Sequence, residues 1–200
     1  RVLFRSDLNR DSYWRGGPVL SSALAGIDMA LWDIKGKSLN MPVWQLLGGK
    51  CRDKVPCYAN AWFVGAKTAE EFATKAKLAV EAGWKALKWD TFGSSYRDIS
   101  TKDLDKSLEC VAAVRNAVGN DIDLMIECHG RFNFESSLRI ASGLEDFNIL
   151  WIEEPLFPEL QYSMSDLRRK IKVPLAAGER IYNRYQALEF IKNGNSDFIQ

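Results

Sequence analysis

The apolar positions of this chain fall into two rhythms. From Gly17 to Lys37 the residues Leu20, Leu24, Ile27, Leu31 and Ile34 recur at helical spacing, and Gly36 and Pro42 punctuate the end, which predicts a packed helix. "MPVWQLLGG" predicts a short second helix closed by glycines, and "KVPCYANAWF" reads as a strand rich in aromatic and small residues. Beyond it, amphipathic stretches alternate with short apolar runs. Thr68 and Glu71 form a capping box for a helix through Ala82, with Gly83 as its stop before the strand "KALKWD". The unit then repeats: "DLDKSLECVAAVRNAV" leads to "DLMIEC", "ESSLRIASGLEDF" to "ILWIEEP", "LQYSMSDLRRKI" to "VPLAAGE", and "RYQALEFIKNG" to "DFIQ".

Six strands alternating with helices predict an α/β chain with a parallel sheet, either closed as a (β/α) barrel or opened as a doubly wound fold. No GxGxxG follows the first strand, which removes the main argument for a dinucleotide fold, so a partial TIM barrel over residues 54–200 is expected. The chain has 27 Lys and Arg against 26 Asp and Glu, with no block of like charge, so it carries no electrostatic footprint for nucleic acid or an anionic membrane. No apolar run approaches the ~20 residues of a membrane span, and "RVLFRSDLNRD" lacks the apolar region of a signal peptide; the chain reads as cytoplasmic, with a small-molecule or protein partner. Cys51, Cys57, Cys110 and Cys128 lack CxxC spacing, which argues against a zinc site and a disulfide framework and predicts reduced, mostly core cysteines. The start without methionine and the end on a strand pattern read as a fragment or processed chain.

Three successive strands end in glutamate: Glu127 in "MIECHG", Glu153 in "WIEEP" and Glu179 in "AAGER", at equal intervals. Equal intervals are expected when the same position of consecutive βα units is occupied, which would set the three carboxylates side by side at the carboxyl-terminal mouth where barrel enzymes keep their chemistry. Gathered carboxylates repel one another, and a divalent cation with hard oxygen ligands, Mg²⁺ or in its place Mn²⁺, supplies the compensation. Taken singly, each glutamate could instead cap a helix or pair with a lysine. The only histidine, His129, lies two residues after Glu127 and would share its face if the strand persists. Lys88 and Asp90 are likewise two apart near a strand end, with a rim salt bridge between them as the plain alternative to a functional role. Arg180 follows Glu179 and reaches the site only if the strand end bends. Glu154 is expected to support the site or cap a helix. Trp14, Arg15, Gly16 and Gly17 are read as ordinary domain packing.

With these residues in place the chain resembles the enolase superfamily, in particular the mandelate racemase group and its sugar-acid dehydratases of the galactonate and gluconate kind. "SALAGIDMALWDIKGKSLNMPVWQLLGG" is similar to the end of the family's α+β capping domain, which assigns residues 1–53 to its C-terminal helices; "GWKALKWD" is similar to the second barrel strand, and "ECHGRF", "WIEEP" and "AAGER" to the ligand strands. The resemblance implies that Glu127, Glu153 and Glu179 bind Mg²⁺, which holds the carboxylate of an acid sugar. The proton on the neighbouring carbon is then removed, and His129 serves as general acid for the departing hydroxyl, giving a 2-keto-3-deoxy acid. Lys88 would act as acid, base or electrostatic holder, and Asp90 and Arg180 would meet the substrate. The family often has aspartate where Glu127 stands, and Asp90 replaces the second lysine of the racemase KxK pair, which argues against a two-base racemase. In similar proteins "IQ" is followed by Pro-Asp and a later histidine that acts as general base, so the 200 residues alone are expected to be inactive and a longer parent active, as a homo-oligomer. An epimerase, racemase or cycloisomerase of the same superfamily is the enzymatic alternative, and a non-catalytic metal- or sugar-binding barrel is the rival from another class.

Overall fold

The computed structural model describes residues 7, 10, 11, 13 and 16–200, so Trp14 and Arg15 of the sequence reading lie outside the described residues. The chain divides into two compact units, one of residues 1–56 with 180–188 and one of residues 57–179 with 189–200.

In the first unit α1 runs Pro18–Ser38 and α2 Val43–Leu46. Proline at the start of α1 supplies a pre-set φ and lacks an N–H that the helix could not use there. Gly36, its one buried residue, passes so close to the next segment that a Cβ would sit 2.7 Å from the Met41 carbonyl oxygen. The predicted packed stripe is realised only in part: Leu20, Leu24 and Leu31 are half-buried, while Ile27 and Ile34 are exposed. A 3.6-residue rhythm identifies which face is apolar, but burial also needs an element to cover it.

The second unit is built from βα repeats. Helix α3 spans Ala69–Glu81, and its capping box is present: the Glu71 N–H donates to the Thr68 hydroxyl, and the Glu71 carboxylate accepts from the Thr68 N–H. Then come β1 Ala86–Trp89, α4 Thr101–Val118, β2 Asp123–Glu127, α5 Phe134–Leu144, β3 Ile149–Glu153, α6 Met164–Lys170, β4 Leu175–Ala177, α7 Arg184–Lys192, which straddles both units, and β5 Phe198–Ile199. The expected helix 160–171 is divided into a 3₁₀ segment Pro158–Ser163 and α6. All five strands are parallel and lie in sequence order, the arrangement of consecutive right-handed βα units in a barrel wall. The sixth predicted strand, "KVPCYANAWF", shrinks to one parallel bridge between Ala59 and Leu87, with Ala59 donating to Ala86 and accepting from Lys88. Three of the four residues of β1 and four of the five of β2 are buried, as expected of a parallel sheet covered on both faces. Of the cysteines, Cys110 and Cys128 are in the core, whereas Cys51 and Cys57 are exposed, so the core expectation holds for two of the four. Among the described residues no helix is long and apolar enough to cross a membrane.

At the amino-terminal end of the sheet the buried Arg115 of α4 donates to four backbone carbonyls, those of Phe147, Gly119, Ile122 and Asn148, at 2.7–2.9 Å. It thereby ties the loop entering β2 to the turn entering β3.

Candidate active site

The strand register decides which carboxylates meet. Glu127, the last residue of β2, lies opposite Glu153, the last residue of β3, so the first two glutamates are neighbours as their spacing predicts. Glu153, however, lies opposite Ala176 of β4, and Glu179 comes three residues later, in an exposed turn after the strand. Equal sequence intervals therefore do not become equal positions for the third acid. A barrel staggers its strands, and the stagger is taken up here between β3 and β4.

Between Glu127 and Glu153 sits the Lys88 ammonium from β1, 3.0 Å from one carboxylate and 2.5 Å from the other, with all three side chains buried. Lys88 also approaches the face of the Tyr58 ring at 5.2 Å, and the Trp151 indole N–H donates to Glu153 at 2.9 Å. Burial pulls the lysine's pKa down, but the hydrogen bonds it donates to Glu153 and Glu127 outweigh it and hold the ammonium charged well above its ordinary range. Burial and the adjacent Glu153 push Glu127 up to about 7, against the opposing pull of the His129 N–H and Lys88. For Glu153 burial acts upward too, yet hydrogen bonds from Glu127, Lys88 and Trp151 win and hold it below the usual carboxylate range. The pair thus keeps its shared proton on Glu127.

Asp90 follows β1 directly, and it is not paired with Lys88. Its carboxylate accepts both 2.7 Å and 2.8 Å bonds from the Arg131 guanidinium, a 2.9 Å bond from the Phe92 N–H, and stands 2.7 Å from His129 Nδ1. An acid engaged in this way acts on His129 rather than as an open substrate contact. Strand β2 stops at Glu127, and His129 takes a left-handed backbone with φ 56° and an exposed side chain, so it does not stand beside Glu127 by strand alternation. Its own N–H instead donates to Glu127 at 2.8 Å, which fastens the turn to the carboxylate. The Asp90 carboxylate facing Nδ1 orients the imidazole ring. Arg180 belongs to the first unit.

A cavity of about 480 Å³ opens beside these groups, lined by Tyr58, Lys88, Trp151, Glu153, Glu179 and Phe198 among others, a size suited to a small polar ligand. Sequence reasoning missed Arg131, Tyr58 and Trp151. Trp151 was findable, since it lies two residues before Glu153 on one strand and so shares its face.

Two carboxylates converge on one positive group, with Lys88 standing where a cation is called for, and the third carboxylate lines the same cavity. Among the described residues no group of three or more His, Cys, Asp or Glu is gathered tightly enough to hold a metal ion, so Glu179 would have to close on the other two. The chemistry of the residues fits a hard cation; the closure is what binding would supply.

The enolase C-terminal domain-like family matches residues 71–200, and the N-terminal domain of mandelate racemase / muconate lactonizing enzymes matches residues 4–48. D-gluconate dehydratase of Thermoproteus tenax is 43% identical over 90% of this chain and 36% of its own length, and D-galactonate dehydratase of Klebsiella pneumoniae is 39% identical over 96% and 49%. The chain thus spans half or less of the curated relatives it matches. Among solved structures, a member of the enolase superfamily from Salmonella Typhimurium superimposes with a TM-score of 0.93 at 33% identity, over 100% of this chain and 56% of the other. The 3,6-anhydro-D-galactonate cycloisomerase of Zobellia galactanivorans does so with 0.86 at 32%, over 100% and 53%. With its fold, its strand-end glutamates and matches to both family domains, this chain belongs to the enolase superfamily, in the mandelate racemase / muconate lactonizing enzyme group.

Proposed function

We propose that this chain carries the metal-binding half of a Mg²⁺-dependent sugar-acid dehydratase that converts an aldonate or aldarate to its 2-keto-3-deoxy acid and water. The observation that carries the reading is the convergence of Glu127 and Glu153 on one positive charge, with Glu179 on the same cavity and the Asp90–His129 pair on the adjoining turn. The dehydratases among its relatives support the choice of reaction. Glu127, Glu153 and Glu179 would hold the ion, with Mn²⁺ as a substitute. When bound, it would draw charge from the substrate carboxylate and make the neighbouring C–H acidic.

Lys88 is held charged by its two glutamates, which makes it a poor general base at neutral pH and suits it to holding negative charge. His129, oriented by Asp90, would deliver a proton to the hydroxyl leaving the third carbon. The proton on the second carbon goes to a base that the family resemblance puts outside these 200 residues. One C–H and one C–O bond break, water departs, and the resulting enol becomes the ketone, so the atoms balance.

The test is mass spectrometry of products after the full-length protein is incubated with aldonic and aldaric acids, with Mg²⁺ or with a chelator. Metal-dependent loss of one water is expected. A metal-dependent change without change of mass would assign the protein to epimerisation or cycloisomerisation, a reading that the cycloisomerase likeness keeps open. Metal-independent silence across the panel would favour a non-catalytic binding barrel.

A further inference from the structure

We infer that Glu154 is the positioning residue that holds the three acid-bearing strand ends in one constellation, an inference that rests on the metal reading above. Glu154 is 2% exposed and adopts a left-handed backbone, φ 42°, which a non-glycine residue keeps only when its surroundings enforce it. Three hydrogen bonds enforce it here. Its N–H donates to the Ala176 carbonyl at 3.0 Å, its carbonyl accepts from the Gly130 N–H at 2.6 Å, and its carboxylate Oε1 accepts from the Gly178 N–H at 2.8 Å.

The partners matter more than the number. Gly130 lies between His129 and Arg131, on the turn that follows Glu127; Gly178 directly precedes Glu179; and Glu154 itself directly follows Glu153. One residue therefore links the ends of β2, β3 and β4, and its side chain makes the link to the only one of the three acids that strand register leaves out of place. Gly178 cannot be replaced to make this link from its own side, because its φ is 132° and an added Cβ would lie 2.9 Å from the Gln200 carbonyl oxygen. The length and polarity of Glu154 thus fix where the turn carrying Glu179 begins. Its role is to set where Glu179 stands relative to Glu153.

The experiment is Mg²⁺ titration calorimetry on the full-length protein, with thermal melting of the metal-free forms alongside. Glu154→Ala is expected to weaken Mg²⁺ binding by about 10–100-fold, the usual effect of removing a group that orients a ligand. Glu154→Gln retains an oxygen acceptor for the Gly178 N–H and is expected to stay within about threefold of wild type by the same reasoning. Glu154→Asp keeps the charge but not the reach, is expected to resemble alanine, and carries the test where alanine does not fold. Wild-type affinity in the folded alanine or aspartate variant would overturn the inference. So would glutamine binding as weakly as alanine, which would assign the effect to charge. Absence of Mg²⁺ binding by the wild type would overturn the metal reading, and this inference with it, so the two failures are distinct.

Discussion

Two charged triads stand at the same end of the sheet and solve opposite problems. In one, two acids share a single cation: Lys88 between Glu127 and Glu153, all three buried. In the other, one acid serves two bases: Asp90 between Arg131 and His129, with the histidine side chain 56% exposed. In the buried triad the ammonium and the two acids compensate one another, so removing one leaves the others less well paired away from water. At the rim the exposed member is the histidine, so solvent takes over what its loss leaves, and what is lost there is orientation. Burial therefore separates residues whose loss is read first in stability from those whose loss is read in turnover alone.

The strongest way to break the comparison is Glu153→Ala. It leaves Lys88 with one of its two buried acceptors, and urea denaturation is expected to show a loss of about 1–3 kcal/mol of stability, with Mg²⁺ binding abolished. A stable, metal-binding variant would remove the distinction between the triads. His129→Asn is the complementary case: steady-state kinetics on the full-length protein are expected to show kcat down by about 10²–10⁴-fold, while stability stays within about 0.5 kcal/mol.

Smaller effects sharpen the contrast. Because Glu127 holds its proton up to about 7, protons compete with Mg²⁺, and affinity measured by calorimetry is expected to fall up to about tenfold per pH unit below that value and to level off above it. The metal-free protein runs the other way. Its folded Glu127 binds protons more tightly than the unfolded group, whose ordinary value is 4.5, so this residue's contribution to stability is full below 4.5 and is lost as pH rises through about 7. Arg131→Lys, which keeps the charge and loses the two-bond grip on Asp90, is expected to lower kcat only several-fold, by about 1 kcal/mol in the barrier, with a small fall in melting temperature from the lost bonds to the Cys128 and Gly93 carbonyls.

What the sequence made legible was local or strictly periodic. The capping box at Thr68 and Glu71 needs only its own four residues, and the facing pair Glu127 and Glu153 needs only two equivalent βα units. What it hid depended on how units are offset and where strands stop. Glu179 is displaced by the stagger between β3 and β4, which no interval in one chain reveals. Asp90 looked like a partner for Lys88 because alternation sets residues two apart on one face, but β1 ends at Trp89, and Asp90 opens a turn toward Phe92 and Arg131. "KVPCYANAWF" had the composition of a strand and yields one bridge, since composition does not say whether a neighbour offers a register to pair with.

The four-carbonyl grip of Arg115 lies at the opposite end of the sheet from both triads. It separates foundation from workshop. Strand entries are fastened by a side chain far from the acids, so exchange of the exposed groups at the mouth leaves the strand entries held as they were.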